Sequence, residues 1–331
     1  MKAIICTKYG SPDVLQLREV KKPIPKDNEV LVRIHAASIN AADLELLRGS
    51  PFLIRLAAPL RPICKILGSD IAGKIEAVGV GVKQFKPGEK VFADLSVCGY
   101  GAFAEYVCVP ENVLTLKPAD MTFKQAATLP QAAILALQGL RDKKKIQPGQ
   151  KVLINGAGGG VGTFAVQIAR YLGAEVTGVD SKKKLDMIRS IGADHVIDYT
   201  KEDFTKSNKT YDLIIDVVAK RPVSDYEHVL NPEGVCSFVG GSMVTIFQSL
   251  LLGPRIFKAK KKKIGLLMWK PNKKEDLDFL KELFELEEVV PVIDRCYPLS
   301  KVPEALKYLA DGNVQGKLVI TMEHNYPIKV N

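Results

Sequence analysis

A glycine-rich turn at residues 156–162 carries the clearest chemical signal in the sequence. It follows the apolar run Lys151–Ile154 and precedes a helical pattern that ends near Gly173. Glycine lets a backbone approach a diphosphate closely, and the first turn of a helix offers unpaired N–H groups and a partial positive charge. The spacing departs from strict G-x-G-x-x-G, but strand, glycines and helix follow in the order that predicts a dinucleotide site. The residues assigned to this turn are Gly156, Gly158, Gly159, Gly160, Val161 and Gly162.

The residues after the next predicted strand bear on which dinucleotide binds. Asp180 ends that strand, where an acidic side chain normally hydrogen-bonds the ribose hydroxyls of NAD and repels the 2′-phosphate of NADP. Ser181 and Lys182–Lys184 follow at once, and lysines beside one aspartate can hold a 2′-phosphate by charge-assisted hydrogen bonds. The same lysines also suit the solvated first turn of a helix. These residues alone leave NADH and NADPH open.

Groups typical of other catalytic classes are missing from the sequence. The cysteines form no CxxC pair, and no HxxE grouping supplies metal ligands. There is no G-x-S-x-G elbow for a serine nucleophile. His35 falls in the predicted strand Val30–Ala36, and His195, His228 and His324 are isolated. A dinucleotide protein with neither a metal nor a clear base can still transfer hydride to an acceptor that is already electron-poor.

The elements that must position these residues change character along the chain. Up to about residue 120, short strand patterns alternate with glycine and proline turns, which predicts a β barrel interrupted by the helix Ala41–Arg48. After that, strands alternate with helices, which predicts a doubly wound parallel sheet with right-handed crossovers. Two later predicted strands, Val289–Ile293 and Lys317–Thr321, are placed with the first domain. We therefore divide the chain into a barrel domain at 1–120 and 275–331 and a dinucleotide-binding domain at 121–274.

Composition and charge limit the class of protein. The chain has 331 residues, of which 47% are hydrophobic and 25% charged, as in soluble globular proteins. No window approaches the length of a membrane-spanning helix, and the N-terminus has no secretory apolar core, so we expect a cytoplasmic protein. The net charge is +10, with lysines clustered at Lys143–Lys145, Lys182–Lys184 and 258–263. A basic surface can attract nucleic acid, anionic lipid or an anionic small molecule. Few aromatic residues accompany the 258–263 cluster, so we favour a solvated face there and expect no nucleic-acid partner.

Several segments together resemble one family. The similarity covers about residues 1–323, and it is to the medium-chain dehydrogenase/reductase superfamily, in its zinc-free quinone oxidoreductase and ζ-crystallin-like branch. The segments that carry it are Ala37–Asp43 with Arg48-Gly49, Gly68–Gly73, Val78–Gly81, Phe85–Val91, Gly101–Tyr106, Leu129-Pro130 with Ala136–Gln138, Gly192–Tyr199 and Gly316–Val319.

The resemblance implies a GroES-like β-barrel domain and a Rossmann domain with the active site between them, and it implies that zinc is absent. Zinc-dependent members carry a cysteine where this chain has Asn40 and a His-Glu pair where it has Ser69 and Asp70. They also carry a four-cysteine lobe, where this chain has only Cys98 and Cys108. In zinc-free relatives the asparagine matching Asn40 lies beside the nicotinamide. We therefore expect Asn40 to be a catalytic and cofactor-binding residue, although its place before Ala41–Arg48 also suits a helix N-cap.

The resemblance also informs the cofactor and the acceptor. Tyr199 matches a tyrosine that helps to bind the adenosine 2′-phosphate in some relatives, which favours NADPH over NADH despite Asp180. Relatives often carry a tyrosine after the N-x-x-D segment and a threonine at Leu135, and this chain has neither, so we expect a more apolar pocket. The remaining expected cofactor contacts are Asp180, Ser181, Lys184, Val217, Gly240, Gly241, Ser242, Gly316 and Lys317.

The sequence thus predicts a zinc-free NAD(P)H-dependent reductase. Its hydride acceptor would be a quinone or an activated C=C or C=O bond in a small electrophilic molecule. One alternative is an alcohol or aldehyde dehydrogenase of the same fold. Another is a non-catalytic protein that binds a nucleotide or RNA. Relatives form dimers through the strand matching Ile264–Trp269, an apolar edge strand, so we expect a homodimer.

Overall fold

The structure is a computed structural model of the chain. It describes residues 1–50, 58–59, 62, 64–142 and 144–323, so that Lys143, His324 and the tail Asn325–Asn331 lie outside the described residues. The chain forms two compact units. The first contains the described residues of Met1–Gln131, Pro271–Leu277 and those from Ile293 onward, and the second contains the described residues of Ala132–Lys270 together with Asp278–Val292.

The strands and helices are numbered in chain order. The strands are β1 Lys2–Ile5, β2 Gln16–Glu19, β3 Glu29–Ile39, β4 Asp70–Val78, β5 Lys90–Asp94, β6 Tyr106–Pro110, β7 Thr115–Leu116, β8 Lys151–Asn155, β9 Glu175–Asp180, β10 His195–Asp198, β11 Tyr211–Asp216, β12 Leu230–Phe238, β13 Lys263–Leu266, β14 Ile293–Pro298 and β15 Lys317–Thr321. The helices are α1 Ala41–Arg48, α2 Phe123–Ala126, α3 Ala132–Arg141, α4 Gly160–Tyr171, α5 Leu185–Ser190, α6 Val223–His228, α7 Met243–Lys260, α8 Lys274–Glu285 and α9 Val302–Ala310.

The first unit is built around β3, a long and largely buried strand. Its sheet has the order β14-β15-β3-β4-β5-β7, with β6 also paired to β3. Ser38 lies opposite Asp70 of β4, and Ile39 lies opposite Leu318 of β15. The end of β3 therefore meets the starts of β4 and β15, and this junction carries Asn40, Asp70 and Lys317.

The second unit contains the parallel sheet that the alternating pattern predicts. Its strand order is β10-β9-β8-β11-β12-β13, and each neighbouring pair is parallel. The order reverses at β8, and ligands of open α/β sheets bind beyond the carboxyl ends of the strands at such a switch point. Helix α4 follows β8 directly at this place.

Some local predictions are wrong. The strand predicted at Val289–Ile293 instead begins at Ile293, because Pro291 supplies no N–H to a ladder and Glu287 turns the chain with a φ of +59°. The strand predicted at Phe103–Val109 starts at Tyr106, and Ala104 makes only an isolated bridge to Ala3.

Candidate functional site

The glycine turn has the close geometry that a phosphate cradle requires. Gly156 has a φ of +85°, and a Cβ added to Gly162 would lie 2.1 Å from the carbonyl oxygen of Gly156. A side chain at Gly162 would therefore force β8 and α4 apart. Gly159 is the N-cap of α4, and the N–H groups of the first helical turn have no partner within the helix. The turn can thus present the backbone N–H groups of Gly160, Val161 and Gly162 to an anion.

Asp180 is held against this turn rather than projecting freely from β9. One carboxylate oxygen accepts a hydrogen bond from the Gly158 N–H at 2.9 Å, and the other accepts from the Ser181 N–H at 2.8 Å. The Lys184 Nζ lies 3.5 Å from the second oxygen, and both side chains are buried. The aspartate charge is therefore partly compensated inside the protein. Lys184 differs in this respect from Lys182 and Lys183, which are exposed.

Tyr199 and Asp180 lie at the same edge of the sheet. The Tyr199 N–H donates to the carbonyl oxygen of Asp180 at 3.2 Å, and the Tyr199 side chain is exposed. Asp198, which precedes Tyr199, pairs in register with Asp180. The predicted adenosine-side residues of β9 and β10 are therefore neighbours.

The ends of β11 and β12 complete this edge of the second unit. Val217 lies against the turn, since a Cβ on Gly156 would be 2.7 Å from its Cγ2 atom. The Ser242 N–H donates to the carbonyl oxygen of Ala219, and Gly241 has a φ of +128° with its backbone close to Ala219. Gly240 also has positive φ. The structure therefore places Val217, Gly240, Gly241 and Ser242 at the carboxyl edge that carries the glycine turn.

A buried network that sequence reasoning missed shapes the loop after β11. Asp216 accepts hydrogen bonds from the Tyr226 hydroxyl at 2.7 Å and from the Asn155 side-chain amide at 2.9 Å. It also accepts from the backbone N–H groups of Val218 and Ala219. The sequence signal for this network is an aspartate at the end of a buried strand, because a buried charge needs several hydrogen-bond donors.

In the first unit, Asn40 belongs to a buried polar cluster. Its Nδ2 donates to Asp70 Oδ2 at 2.9 Å and to Ser69 Oγ at 3.2 Å, and its Oδ1 accepts from Lys317 Nζ at 2.5 Å. The Lys317 Nζ lies 3.5 Å from Asp70 Oδ2, which also accepts from the Ser38 hydroxyl. The lysine is only 2% exposed. Gly316, with a φ of +82°, turns the chain into β15 just before this lysine.

Asn40 occupies the N-cap position of α1, but its side chain is committed to this cluster. The helix start is closed by a capping box of Asn40 and Asp43, in which Asp43 Oδ2 accepts from the Asn40 backbone N–H at 2.8 Å. The structure thus shows a helix-start contact from Asp43 and a link between Asp70 and Lys317 through the Asn40 amide. The catalytic role of Asn40 stays a prediction.

Burial dominates the titration of the surrounding carboxylates. Desolvation raises the pKa of Asp43 to about 7. Desolvation, followed by the charge of Asp70, raises the pKa of Asp94 to about 6. Burial also raises the pKa of Asp70 and lowers that of Lys317, while the attraction between the two opposes both shifts.

The cluster does not fit a zinc ion. Zinc needs lone pairs from sulfur, imidazole or carboxylate atoms, whereas the Lys317 ammonium and the Asn40 amide direct N–H donors at Asp70. Over the residues that the structure describes, no group of three or more His, Cys, Asp or Glu side chains is placed to hold a metal.

Comparison with family models matches both units. Residues 26–119 match the alcohol dehydrogenase GroES-like domain, and residues 191–320 match a model described as zinc-binding dehydrogenase. Residues 132–237 match the C-terminal domain of alanine dehydrogenase/PNT. The predicted fold class, a Rossmann sheet with a GroES-like domain, is confirmed.

Relatives cover almost the whole chain. The chloroplast envelope quinone oxidoreductase homolog of Arabidopsis thaliana is 33% identical over 97% of this chain and 98% of its own length. The chloroplastic NADPH-dependent alkenal/one oxidoreductase of the same plant is 31% identical over 99% of this chain and 80% of its own length. The quinone oxidoreductase structure from Coxiella burnetii aligns with a TM-score of 0.85 and 29% identity, covering 98% of this chain and 99% of that one.

Proposed function

The chain belongs to the medium-chain dehydrogenase/reductase superfamily, in the branch of the quinone oxidoreductases, and we propose that it uses NADPH without a zinc ion. It is an NAD(P)H-dependent oxidoreductase that acts on a small-molecule quinone or enone acceptor. The cytoplasmic location expected from the sequence stays a prediction.

The buried pair of Asp180 and Lys184 is the observation that carries the cofactor preference. An aspartate at the end of β9 would repel a 2′-phosphate, but here both carboxylate oxygens accept backbone hydrogen bonds and Lys184 lies 3.5 Å away. The repulsion is therefore reduced, and the same oxygens are less available to ribose hydroxyls. Lys184 and Ser181 would hold the 2′-phosphate, with Tyr199 beside them.

The glycine turn would hold the diphosphate, and the Asn40 amide would act on the acceptor. Bound NADPH supplies a hydride. The Asn40 amide can polarise an acceptor oxygen only if one of its present hydrogen bonds gives way. The bond to Ser69 Oγ, at 3.2 Å, is the longer of the two that its Nδ2 donates. The Lys317 ammonium fixes the Asn40 carbonyl oxygen, so that the Nδ2 group keeps one orientation.

The test is consumption of NADPH and of NADH with a panel of quinones, enones, alkenals and aldehydes, with and without a chelator. We expect turnover of quinones or enones, a lower KM for NADPH than for NADH, and no loss with chelator. Lys184→Ala should weaken NADPH binding about tenfold or more, because it removes a cation and exposes the aspartate charge. Asp180→Asn, which removes the charge but keeps an oxygen for the Gly158 N–H, should strengthen it.

Lys183→Ala is the matched control, because Lys183 is the exposed neighbour of the buried Lys184. If Lys184→Ala and Lys183→Ala had the same effect on the binding of NADPH and of NADH, the assignment of the 2′-phosphate site would be contradicted. A requirement for zinc, shown by metal analysis and chelation, would contradict the proposed zinc independence.

We also propose that the protein forms a homodimer through β13. This strand is the outer strand of the six-stranded order and is paired to β12, and Gly253 of α7 packs against its Ile264 carbonyl oxygen. Met268, two residues after the end of β13, is a largely exposed apolar residue, and an exposed apolar segment at a sheet edge favours pairing with a second copy. Sedimentation should give a dimer at micromolar concentration, and a monomer would contradict the proposal.

A further inference from the structure

Helix α7, Met243–Lys260, carries apolar side chains on its outer side as well as on the side that packs against the second unit. The side toward the second unit's core carries the small or polar residues Thr245, Ser249 and Gly253. A Cβ on Gly253 would lie 2.4 Å from the carbonyl oxygen of Ile264 in β13, so this side packs unusually close to the sheet. A helix normally buries its large apolar side chains. In α7 the buried positions Thr245, Ser249 and Gly253 are small, and Leu252 and Ile256 pack partly buried against the core beside them.

A second set of large apolar side chains in α7 faces outward. Their exposed fractions are 45–66%, and they recur at helical spacing along one side of α7. This apolar row consists of Met243, Val244, Phe247, Leu250 and Leu251. Single exposed apolar residues are ordinary, but a contiguous set marks a surface that contacts something less polar than water.

The charges at the end of the helix identify the kind of partner. Arg255, Lys258 and Lys261 are exposed, and the sequence from Met243 to Lys263 contains no acidic residue. Lys260 is paired with Glu227 of α6, and the Lys262 Nζ donates to the Glu227 carbonyl oxygen. The end of the apolar row is therefore strongly positive, and its complement is an anionic surface.

We propose that the apolar row and basic end of α7 dock on the surface of an anionic phospholipid membrane. An interfacial helix inserts Phe and Leu side chains at the headgroup boundary while lysines contact anionic headgroups. A second copy of α7 fits less well, because it would bring the same cations and no carboxylate. Over the described residues no helix is long and apolar enough to cross a membrane. The inference concerns α7 alone and does not rest on the proposed function.

The test is co-sedimentation of the full chain with vesicles at low salt. We expect binding to vesicles of equal parts phosphatidylcholine and phosphatidylserine and much weaker binding to phosphatidylcholine alone. Lys258→Gln with Lys261→Gln should lower binding about 30-fold, at about fivefold for each lysine. Phe247→Ser with Leu250→Ser should lower it at least about tenfold. The controls are exposed residues of the first unit: Val80→Ser, and Lys83→Gln with Lys86→Gln.

Equal binding by the α7 variants and their controls would overturn the proposal, as would failure of the unaltered protein to bind the anionic vesicles. Equal binding to both vesicle types would remove the role of the basic end. If Phe247→Ser with Leu250→Ser instead converted a dimer into a monomer and left vesicle binding unchanged, a second copy would be the occupant. Because these side chains are exposed, melting temperature and NADPH consumption should not change in either variant.

Discussion

Replacing Lys317 by methionine should destabilise the first unit strongly. The Lys317 Nζ lies 3.5 Å from Asp70 Oδ2 inside a site where both side chains are almost fully buried. At an effective dielectric constant of about 20, two unit charges at that distance attract by about 5 kcal/mol. Methionine keeps the apolar stem but leaves the Asp70 charge uncompensated. Loss of one partner of a buried pair typically costs about 3–5 kcal/mol.

The double variant separates this charge effect from lost packing. Asp70→Asn removes the stranded charge, so Lys317→Met with Asp70→Asn should be more stable than Lys317→Met alone. Urea unfolding of the two single variants and the double variant gives the coupling free energy, which we expect to exceed about 2 kcal/mol. The matched control is Lys307→Met, whose ammonium pairs with Asp13 at an exposed position. That change should cost at most about 1 kcal/mol.

Two results would refute the reasoning. A cost below about 1 kcal/mol for Lys317→Met would mean that the lysine carries no charge needed by Asp70 in the folded state. Strict additivity of the two changes would mean that Lys317 and Asp70 do not interact energetically. Either result would also weaken the case against zinc, which depends on the ammonium at this position.

Three further predictions concern the polar cluster around Asn40 and the glycine turn. Burial raises the pKa of Asp43 to about 7, so its protonated form stabilises the fold, and this contribution is complete below about pH 4 and is lost as the pH rises toward 7. Asp43→Asn should remove most of that loss, which is up to about 4 kcal/mol in urea unfolding at pH 8. An unchanged dependence of stability on pH in this variant would contradict the prediction. Asn40→Ala should lower kcat on a quinone or enone about 100-fold or more at a temperature where the variant is folded, and an unchanged kcat would remove Asn40 from the catalytic machinery. Gly162→Ala should abolish detectable NADPH binding in a titration, because its Cβ would meet the Gly156 carbonyl oxygen at 2.1 Å; normal affinity would refute the cradle.

Local sequence patterns were sufficient for the glycine turn and for the strand and helix on either side of it. The strand Lys151–Asn155, the glycine turn and the helix Gly160–Tyr171 are contiguous, so each is specified by its own residues and their order. The wrong strand at Val289–Ile293 has a local cause as well. Its apolar residues satisfied the strand pattern, but Pro291 lacks the N–H that a ladder needs, and the strand starts after it.

The polar cluster could not be predicted in the same way, because its members are distant in sequence. Asn40 and Lys317 are separated by 277 positions and meet only because β15 pairs with β3. The resemblance singled out both residues separately, yet nothing in either segment indicates that one amide joins a lysine to Asp70. Pairing between strands is a property of the folded sheet, and so are the contacts made where the strands end.

The position of Asp180 shows how the same limit affects function. From the sequence, an aspartate at the end of β9 argues for NADH, because its carboxylate is taken to face the ribose. In the folded chain its two oxygens accept the N–H groups of Gly158 and Ser181, and Lys184 compensates its charge. The aspartate therefore helps to shape the glycine turn. An acidic residue at this position is informative about the cofactor only when its hydrogen-bond partners are known. Removing the Asp180 charge and removing the Lys184 cation should therefore move NADPH affinity in opposite directions only when the Gly158 N–H keeps an acceptor, as in Asp180→Asn.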